Sequence, residues 1–144
     1  MVSFEECLEK GLITKAPYSD VLVKGSIEKA EELLEEAKYD LKRGAFNSAA
    51  VIAYSAAFNA ARALVFKKGF REKSHACVAR FIEAEYENFP QELIDLLDRY
   101  RSARHGVLYD VRRRANEVDA SEMVGFASSF INEVKRVLPS KSLP

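Results

Sequence analysis

The sequence contains no tryptophan, and its 144 residues include only two cysteines, two histidines, six glycines and four prolines. Cys7 and Cys77 are too few for a disulfide framework, and a zinc site would need more ligands than these cysteines and two histidines supply. The few glycines and prolines separate long stretches of helical period, and no stretch alternates as a strand does. The sequence therefore predicts an all-α fold with reduced cysteines, no metal and no cofactor.

A net charge of one sign is also missing. Lysine plus arginine number 22, and aspartate plus glutamate number 22. No overall field therefore draws the protein onto nucleic acid or an anionic membrane. Any site for a polyanion must be local.

Long hydrophobic runs are absent as well. The longest uncharged run, residues 46–61, is 16 residues long and contains two asparagines and two serines. A helix needs about 20 mostly apolar residues to span a bilayer. Residues 1–7 have neither the basic nor the apolar region of a secretory signal. We expect a buried helix without a membrane span, and a cytoplasmic protein.

The residues present indicate a globular protein, since 48% are hydrophobic and 31% are charged. Length predicts one domain, residues 1–144, with a core of about residues 20–138. Helical periodicity predicts an up-and-down bundle of five to six helices. Its predicted helices are about 3–10, a second from Ser19-Asp20 to Gly44, 47–68, a fourth beginning after Ser74, 91–111, and a last one whose capping box is Asp119 with Glu122.

Charge is balanced overall but separated along the chain. Residues 28–40 hold six acidic residues against Lys29 and Lys38, whereas residues 99–114 hold six arginines against Asp110 alone. In one interpretation the two segments lie side by side and pair their charges. In the other, the arginines form a groove for phosphate groups, which suit the forked guanidinium.

One stretch of the basic segment carries the candidate chemistry. Arg101 and His105 are four residues apart, so one face of a helix carries both. An arginine that holds a phosphate beside a histidine that transfers a proton is the minimum for metal-independent RNA cleavage. A surface or ion-paired histidine is the alternative. Arg99 lies about 120° around the helix from His105, so one protomer would not aim both side chains at one phosphate.

Three segments resemble a known family. Tyr54-Ser55-Ala56-Ala57-Phe58-Asn59-Ala60-Ala61-Arg62-Ala63-Leu64 resembles the central helix of HEPN domains. The turn Lys73-Ser74-His75 is similar to the start of their next helix, and Arg104-His105-Gly106-Val107-Leu108-Tyr109-Asp110 is similar to their signature helix. The order and spacing of these segments agree with the family over about residues 20–138.

The resemblance implies a helical bundle that is usually a homodimer. Such proteins are often encoded beside a minimal nucleotidyltransferase and act in prokaryotic toxin-antitoxin or defence systems. Active members are metal-independent ribonucleases whose motif is an arginine, a polar residue, a short spacer and a histidine. Here Arg104 and His105 match the start of that motif, while Tyr109 stands where active members carry histidine.

Together these observations predict a protein that binds a nucleotide or RNA phosphate, as the partner of a nucleotidyltransferase. The predicted binding residues are Arg99, Arg101, Arg104 and His75, although His75 has packing or capping as its alternative role. The first alternative function is a metal-independent ribonuclease toxin that uses Arg104, His105 and Tyr109. The second alternative function is a protein-interaction module whose arginines contact an acidic protein surface.

Overall fold

The computed structural model describes all of residues 1–144, and 73% of them are helical. The elements follow one another as α1 (Phe4–Glu9), β1 (Ile13–Lys15), α2 (Asp20–Lys42), α3 (Phe46–Lys67), β2 (Phe70–Glu72), α4 (His75–Glu85), α5 (Gln91–Tyr109), α6 (Glu117–Val137) and a final 3-10 turn (Ser140–Ser142). Six α-helices with one very small sheet confirm the predicted all-α bundle.

Local signals account for most helix ends. The hydroxyl of Ser19 accepts a hydrogen bond from the backbone N–H of Leu22 and so caps α2. Gly44 and Gly69 follow the last turns of α2 and α3 with φ of +83° and +77°, where a side chain would be strained. Gly44 thus separates α2 from α3, and Gly69 separates α3 from β2, at the two places where the sequence predicts breaks.

The centre of the bundle is α3. It packs against α2, α4, α5 and α6, and most of its residues are buried. Eight alanines along the helix let its neighbours approach closely. Its length and composition would also suit a membrane span, yet 72% of the apolar window is buried inside the protein, as in the core helix of a soluble bundle.

Two helix ends near the basic segment differ from the prediction. The capping box of α6 is Asn116 with Asp119, so the helix begins at Glu117, before the predicted Asp119–Glu122 box. Asn116 precedes the helical residues, and its side chain accepts the Asp119 N–H while Asp119 accepts the Asn116 N–H. Helix α5 ends at Tyr109, two residues before the predicted end at Val111, which is 85% exposed.

The N-terminal segment differs most from expectation. The short strands β1 and β2 pair antiparallel, with Thr14 opposite Arg71. Cys7 of α1 and Cys77 of α4 form a disulfide bond, and both residues are fully buried. The prediction of reduced cysteines is therefore wrong for this structure. Sequence spacing gives no sign of the bond, because 70 residues separate two cysteines that only the fold brings together.

The predicted pairing between the acidic and basic segments does not occur. Acidic residues of α2 pair within their own helix, and Glu31 pairs with Lys135 of α6 at 3.1 Å. No ion pair joins α2 to α5, because α2 packs against α3 and α6. The arginines of α5 are thus left without acidic partners from α2.

Candidate functional site

Packing fixes the rotation of α5 about its axis. Ile94 and Leu97 are buried between α5 and the rest of the bundle, and the Tyr100 ring lies 5.0 Å from that of Phe126 on α6. Helical spacing then sets the direction of every other α5 side chain. Polar groups on this helix consequently fall on defined sides of it.

An ion-pair cluster also attaches α5 to α4. Arg80, whose side chain is 6% exposed, donates hydrogen bonds to Asp98 at 2.6 Å and to Glu83 at 2.7 Å. Burial alone would lower the pKa of Arg80, but its two carboxylate partners more than offset that effect and raise it. Asp98 therefore has a structural role next to the arginines predicted to bind phosphate.

Arg104 lies against the core rather than in open solvent. Its guanidinium carbon is 5.7 Å from the centre of the Tyr54 ring, which belongs to α3 and is 1% exposed. The Nε of Arg104 is buried and has no hydrogen-bond partner, and no carboxylate forms an ion pair with this residue. A cation at a cation–π distance from a buried ring is thus left with unused donor capacity.

His75, the first residue of α4, lies beside the same tyrosine. Its ring stacks on Phe58 with centres 3.7 Å apart, and its Nδ1 is 3.0 Å from the Tyr54 hydroxyl. Partial burial of the ring and the charge of Arg104 lower the pKa of His75, so the imidazole is neutral at pH 7. Burial raises the pKa of Tyr54, so its hydroxyl keeps its proton and is able to donate to Nδ1.

Arg101 completes this group. Its Nη2 is 3.7 Å from Asp98, a loose contact because Asp98 binds Arg80 more closely. The charge of Arg101 also acts to lower the pKa of His75, as that of Arg104 does. The structure therefore brings together three of the four predicted binding residues, Arg101, Arg104 and His75. We call these three residues with Tyr54 the arginine–histidine cluster.

Arg99 does not belong to that cluster. Five residues along a helix correspond to a rotation of about 140°, so Arg99 and Arg104 point away from each other. Arg99 is exposed and makes no ion pair. A single protomer does not combine Arg99 with the other predicted residues.

His105 and Tyr109 lie on another side of α5 from Arg104. Their rings are 4.8 Å apart, and both residues are exposed. They line an open groove of about 580 Å³ together with Ser102, Gly106 and residues 110–113. We call it the His105 groove. The predicted catalytic residues are therefore divided, because Arg104 faces Tyr54 while His105 and Tyr109 face this groove.

The sequence did not indicate the contact between Arg113 and Gly106 in the His105 groove, or the role of Tyr54 in the arginine–histidine cluster. The guanidinium of Arg113 lies directly on Gly106, so closely that a Cβ built at Gly106 would be 2.4 Å from its Nη1. The sequence offered one signal, a glycine inside a helical stretch, which often marks a close approach. The contact between the Tyr54 hydroxyl and His75 was not expected from the sequence either.

The side chains offer no arrangement for a metal ion. No group of three or more histidine, cysteine, aspartate or glutamate residues is placed to hold one. The donors available near α5 are guanidinium, imidazole and hydroxyl groups, which suit an anion.

Comparison with known proteins bears on these features. A search of curated proteins found no match to the chain. The family model described as HEPN domain matches residues 23–137, which include α3, α4, α5 and the whole of α6. With most of its length matched and the helical bundle expected for such a domain, the chain belongs to the HEPN family.

Proposed function

We propose that this protein binds phosphate groups of RNA or of a nucleotide at the arginine–histidine cluster. HEPN membership supports a function related to nucleotides or RNA in general terms. The choice of cluster rests on Arg101 and Arg104, whose guanidinium groups present several donors from one helix. With net charge zero, binding must depend on such a local concentration of arginines.

The observation that carries the proposal is the Arg104 guanidinium, which has no ion pair and makes no hydrogen bond. Its Nε is buried against the bundle, whereas its two Nη atoms are not buried and remain available to a ligand. Asp98 of the same helix is engaged by Arg80. A phosphate at the Nη atoms would supply an acceptor and the opposite charge together.

His75 supports the same assignment. One face of its ring lies on Phe58, while the residue remains exposed. RNA-binding proteins commonly stack unpaired bases on aromatic rings, histidine included. We infer that a base lies on the open face of His75 while Arg104 and Arg101 hold a neighbouring phosphate. The protein then needs no positive charge on His75.

The experiment measures the affinity of a fluorescent single-stranded RNA oligonucleotide and of ATP. We expect Arg104→Ala to weaken binding about tenfold, because a charge-assisted contact is lost. The plot of log affinity against log salt concentration should become less steep, its slope decreasing in magnitude by about one. Arg104→Lys keeps the charge but not the forked guanidinium, so its affinity should lie between those of the wild type and Arg104→Ala.

Arg99→Ala is the matched control, since it removes the same charge from an exposed residue outside the cluster. Arg99→Ala should change the affinity less than about threefold. Equal losses in both variants would mean that only the overall charge matters. Wild-type affinity in Arg104→Ala and Arg101→Ala would remove the phosphate proposal and favour a protein-interaction module.

A metal-independent ribonuclease is the second candidate, and the exposure of His105 favours it. His105 lies in an open groove with a tyrosine hydroxyl, a serine hydroxyl and a guanidinium. Such a histidine could take the proton from a 2′-hydroxyl while the arginine stabilises the phosphorane. Cleavage that resists EDTA and is lost in His105→Ala would select this function. Binding without cleavage would select the first.

Family membership supports a proposal for the partners and the setting. HEPN domains commonly dimerise, and we propose that this chain forms a homodimer. We also propose that it acts with a minimal nucleotidyltransferase in a cytoplasmic toxin-antitoxin or defence pair. The test for the pair is co-purification of the two proteins when their genes are expressed together.

One surface supports the homodimer. A groove between α3 and α5 is lined by Val51, Ile52, Val107 and Leu108, and it has exposed Tyr39 near one end and Val111 near the other. Its α2 end carries Glu35 and Glu36, while its α5 end carries Arg114.

A two-fold axis across the groove would set the acidic end of each protomer against the basic end of the other. We expect Leu108→Glu to yield monomers in analytical ultracentrifugation, with the melting temperature of each protomer little changed. Leu108 is 44% exposed, so the charge remains solvated in the monomer. A monomeric wild-type protein at micromolar concentration would exclude the homodimer.

A further inference from the structure

The connection between α5 and α6 folds back onto α5. Asp110 caps the end of α5, and its backbone carbonyl accepts a hydrogen bond from the N–H of Arg113 at 3.0 Å. This turn carries the Arg113 side chain onto Gly106, one turn before the end of the helix. Arg113 therefore reaches the floor of the His105 groove from outside the signature helix.

Charge in the groove is unevenly paired. The Asp110 carboxylate accepts a hydrogen bond from the Arg112 N–H at 2.9 Å and lies 3.6 Å from the Arg112 Nε. Arg113 takes part in no ion pair. Of the two neighbouring arginines, Arg112 is therefore neutralised by Asp110, whereas Arg113 is left with a free guanidinium.

Gly106 makes the position of Arg113 possible. A Cβ at residue 106 would lie 2.4 Å from Nη1, 2.6 Å from Cζ and 2.9 Å from Nε of Arg113. All three distances are shorter than van der Waals contact, so any side chain at residue 106 would displace the guanidinium. Glycine lowers helix stability relative to alanine, which makes its presence inside α5 informative.

We propose that Arg113, resting on Gly106, is a second phosphate-binding residue, which serves the His105 groove. The ligand class is a phosphate group of RNA or of a nucleotide, held by the Arg113 guanidinium beside the His105 imidazole and the Tyr109 hydroxyl. This inference rests on the proposed function, because it assigns a second phosphate to the same ligand. Arg104 and Arg113 then hold phosphates on different sides of α5.

The test compares three variants in RNA and ATP binding, with Arg99→Ala as the control for charge. Arg113→Ala should weaken RNA binding about tenfold, since the lost hydrogen bonds join charged groups. Arg99→Ala removes the same charge from an exposed residue of α5 outside the His105 groove and should cost less than about threefold. An effect on RNA but not on ATP would identify the ligand as a strand that reaches both sites.

Gly106→Ala separates binding from folding. Alanine favours the helix more than glycine does, so the melting temperature of the Gly106→Ala variant should equal or exceed that of the wild type. RNA affinity should nevertheless fall about as much as in Arg113→Ala, because the guanidinium is displaced. The double variant Gly106→Ala/Arg113→Ala should bind no more weakly than Arg113→Ala alone, since both changes remove one contact.

The outcomes distinguish this inference from the proposed function. If Arg104→Ala weakens binding but Arg113→Ala binds as the wild type does, the second phosphate site is wrong and the proposed function stands. If neither Arg104→Ala nor Arg113→Ala weakens binding, both are wrong. Wild-type affinity in Gly106→Ala would overturn the role of Gly106. Equal losses in Arg99→Ala and Arg113→Ala would reduce the effect to overall charge.

Discussion

Helices α3 and α5 are neighbours of similar length but opposite character. The first, 22 residues long, is apolar on nearly every side and buried among four other helices. The second, 19 residues long, lies at the edge of the bundle and has only Ile94, Leu97 and Gly106 fully buried. The same fold thus contains one helix whose sequence is dictated by packing and one whose surface is left for other purposes.

The difference separates stability from function. Residues of α3 contribute through burial, which is worth about 25 cal/mol for each Å² of apolar surface. On α5, by contrast, the Arg104 guanidinium has neither an ion pair nor a hydrogen bond, so it adds little to stability in the absence of a ligand. Substitutions in the two helices should therefore change different measured quantities.

The largest effect should come from a charge at the centre of α3. Ala57 is fully buried, so Ala57→Glu would remove an unpaired carboxylate from water and cost about 5 kcal/mol, as much as the whole stability of many small proteins. Ala84→Glu makes the same change on the exposed side of α4 and should cost about 0.5 kcal/mol at most. Thermal melting followed by circular dichroism measures both, and equal melting temperatures would contradict the central position of α3.

A smaller difference in stability is expected between substitutions of two α5 residues that lie one turn apart. Asp98→Ala leaves Arg80 buried with Glu83 as its one remaining partner and should cost about 3 kcal/mol. Arg101→Ala removes a loose 3.7 Å contact and should cost about 0.5 kcal/mol or less.

Urea denaturation measures the loss of stability in both variants. RNA affinity should fall more in Arg101→Ala than in Asp98→Ala. A stability loss in Arg101→Ala as large as in Asp98→Ala would contradict the separation of stability from binding on α5.

The smallest effect should depend on pH, through His75, which contacts Tyr54 and Phe58 of α3 and feels the charge of Arg104 on α5. Its pKa is lower in the folded protein than in the unfolded chain, so between these two values the unfolded chain binds more protons. Stability should therefore fall as pH decreases below about 6.5, the ordinary histidine value, and level off below the folded pKa.

Melting temperatures from pH 8 to pH 5 measure this dependence. His75→Gln should reduce it. A pH dependence unchanged by His75→Gln would mean that carboxylates account for it.

Most of the bundle could be predicted because its signals are local. The apolar run and Gly69 place α3 within one residue at each end, and Ser19 and Gly44 delimit α2. The strands and the disulfide were missed because their partners are far apart in sequence, as with Thr14 and Arg71. The start of α6 was missed because Asn116 and Asp119 both suit a cap, and only the backbone decides between them.

The site was predicted as a set of residue types but not as an arrangement. Helical spacing placed Arg101 and His105 on one face of a helix, but Arg101 lies in the arginine–histidine cluster and His105 lines the His105 groove. Spacing could not show that Arg104 faces Tyr54, because that depends on how α5 rotates against α3. The Arg113 contact with Gly106 depends on a turn that begins beyond the helix, and no periodic pattern describes it.

The disulfide between Cys7 and Cys77 turns half of the chain into a covalent ring that contains α2 and α3. Closing a loop of about 70 residues lowers the conformational entropy of the unfolded chain, which stabilises the folded state by about 4 kcal/mol. Without the bond, the first 15 residues are held by two three-residue strands and by packing such as that of Phe4 on Phe81. In a reducing compartment this arm would be the segment that opens first, so a protease would remove it before cutting α3.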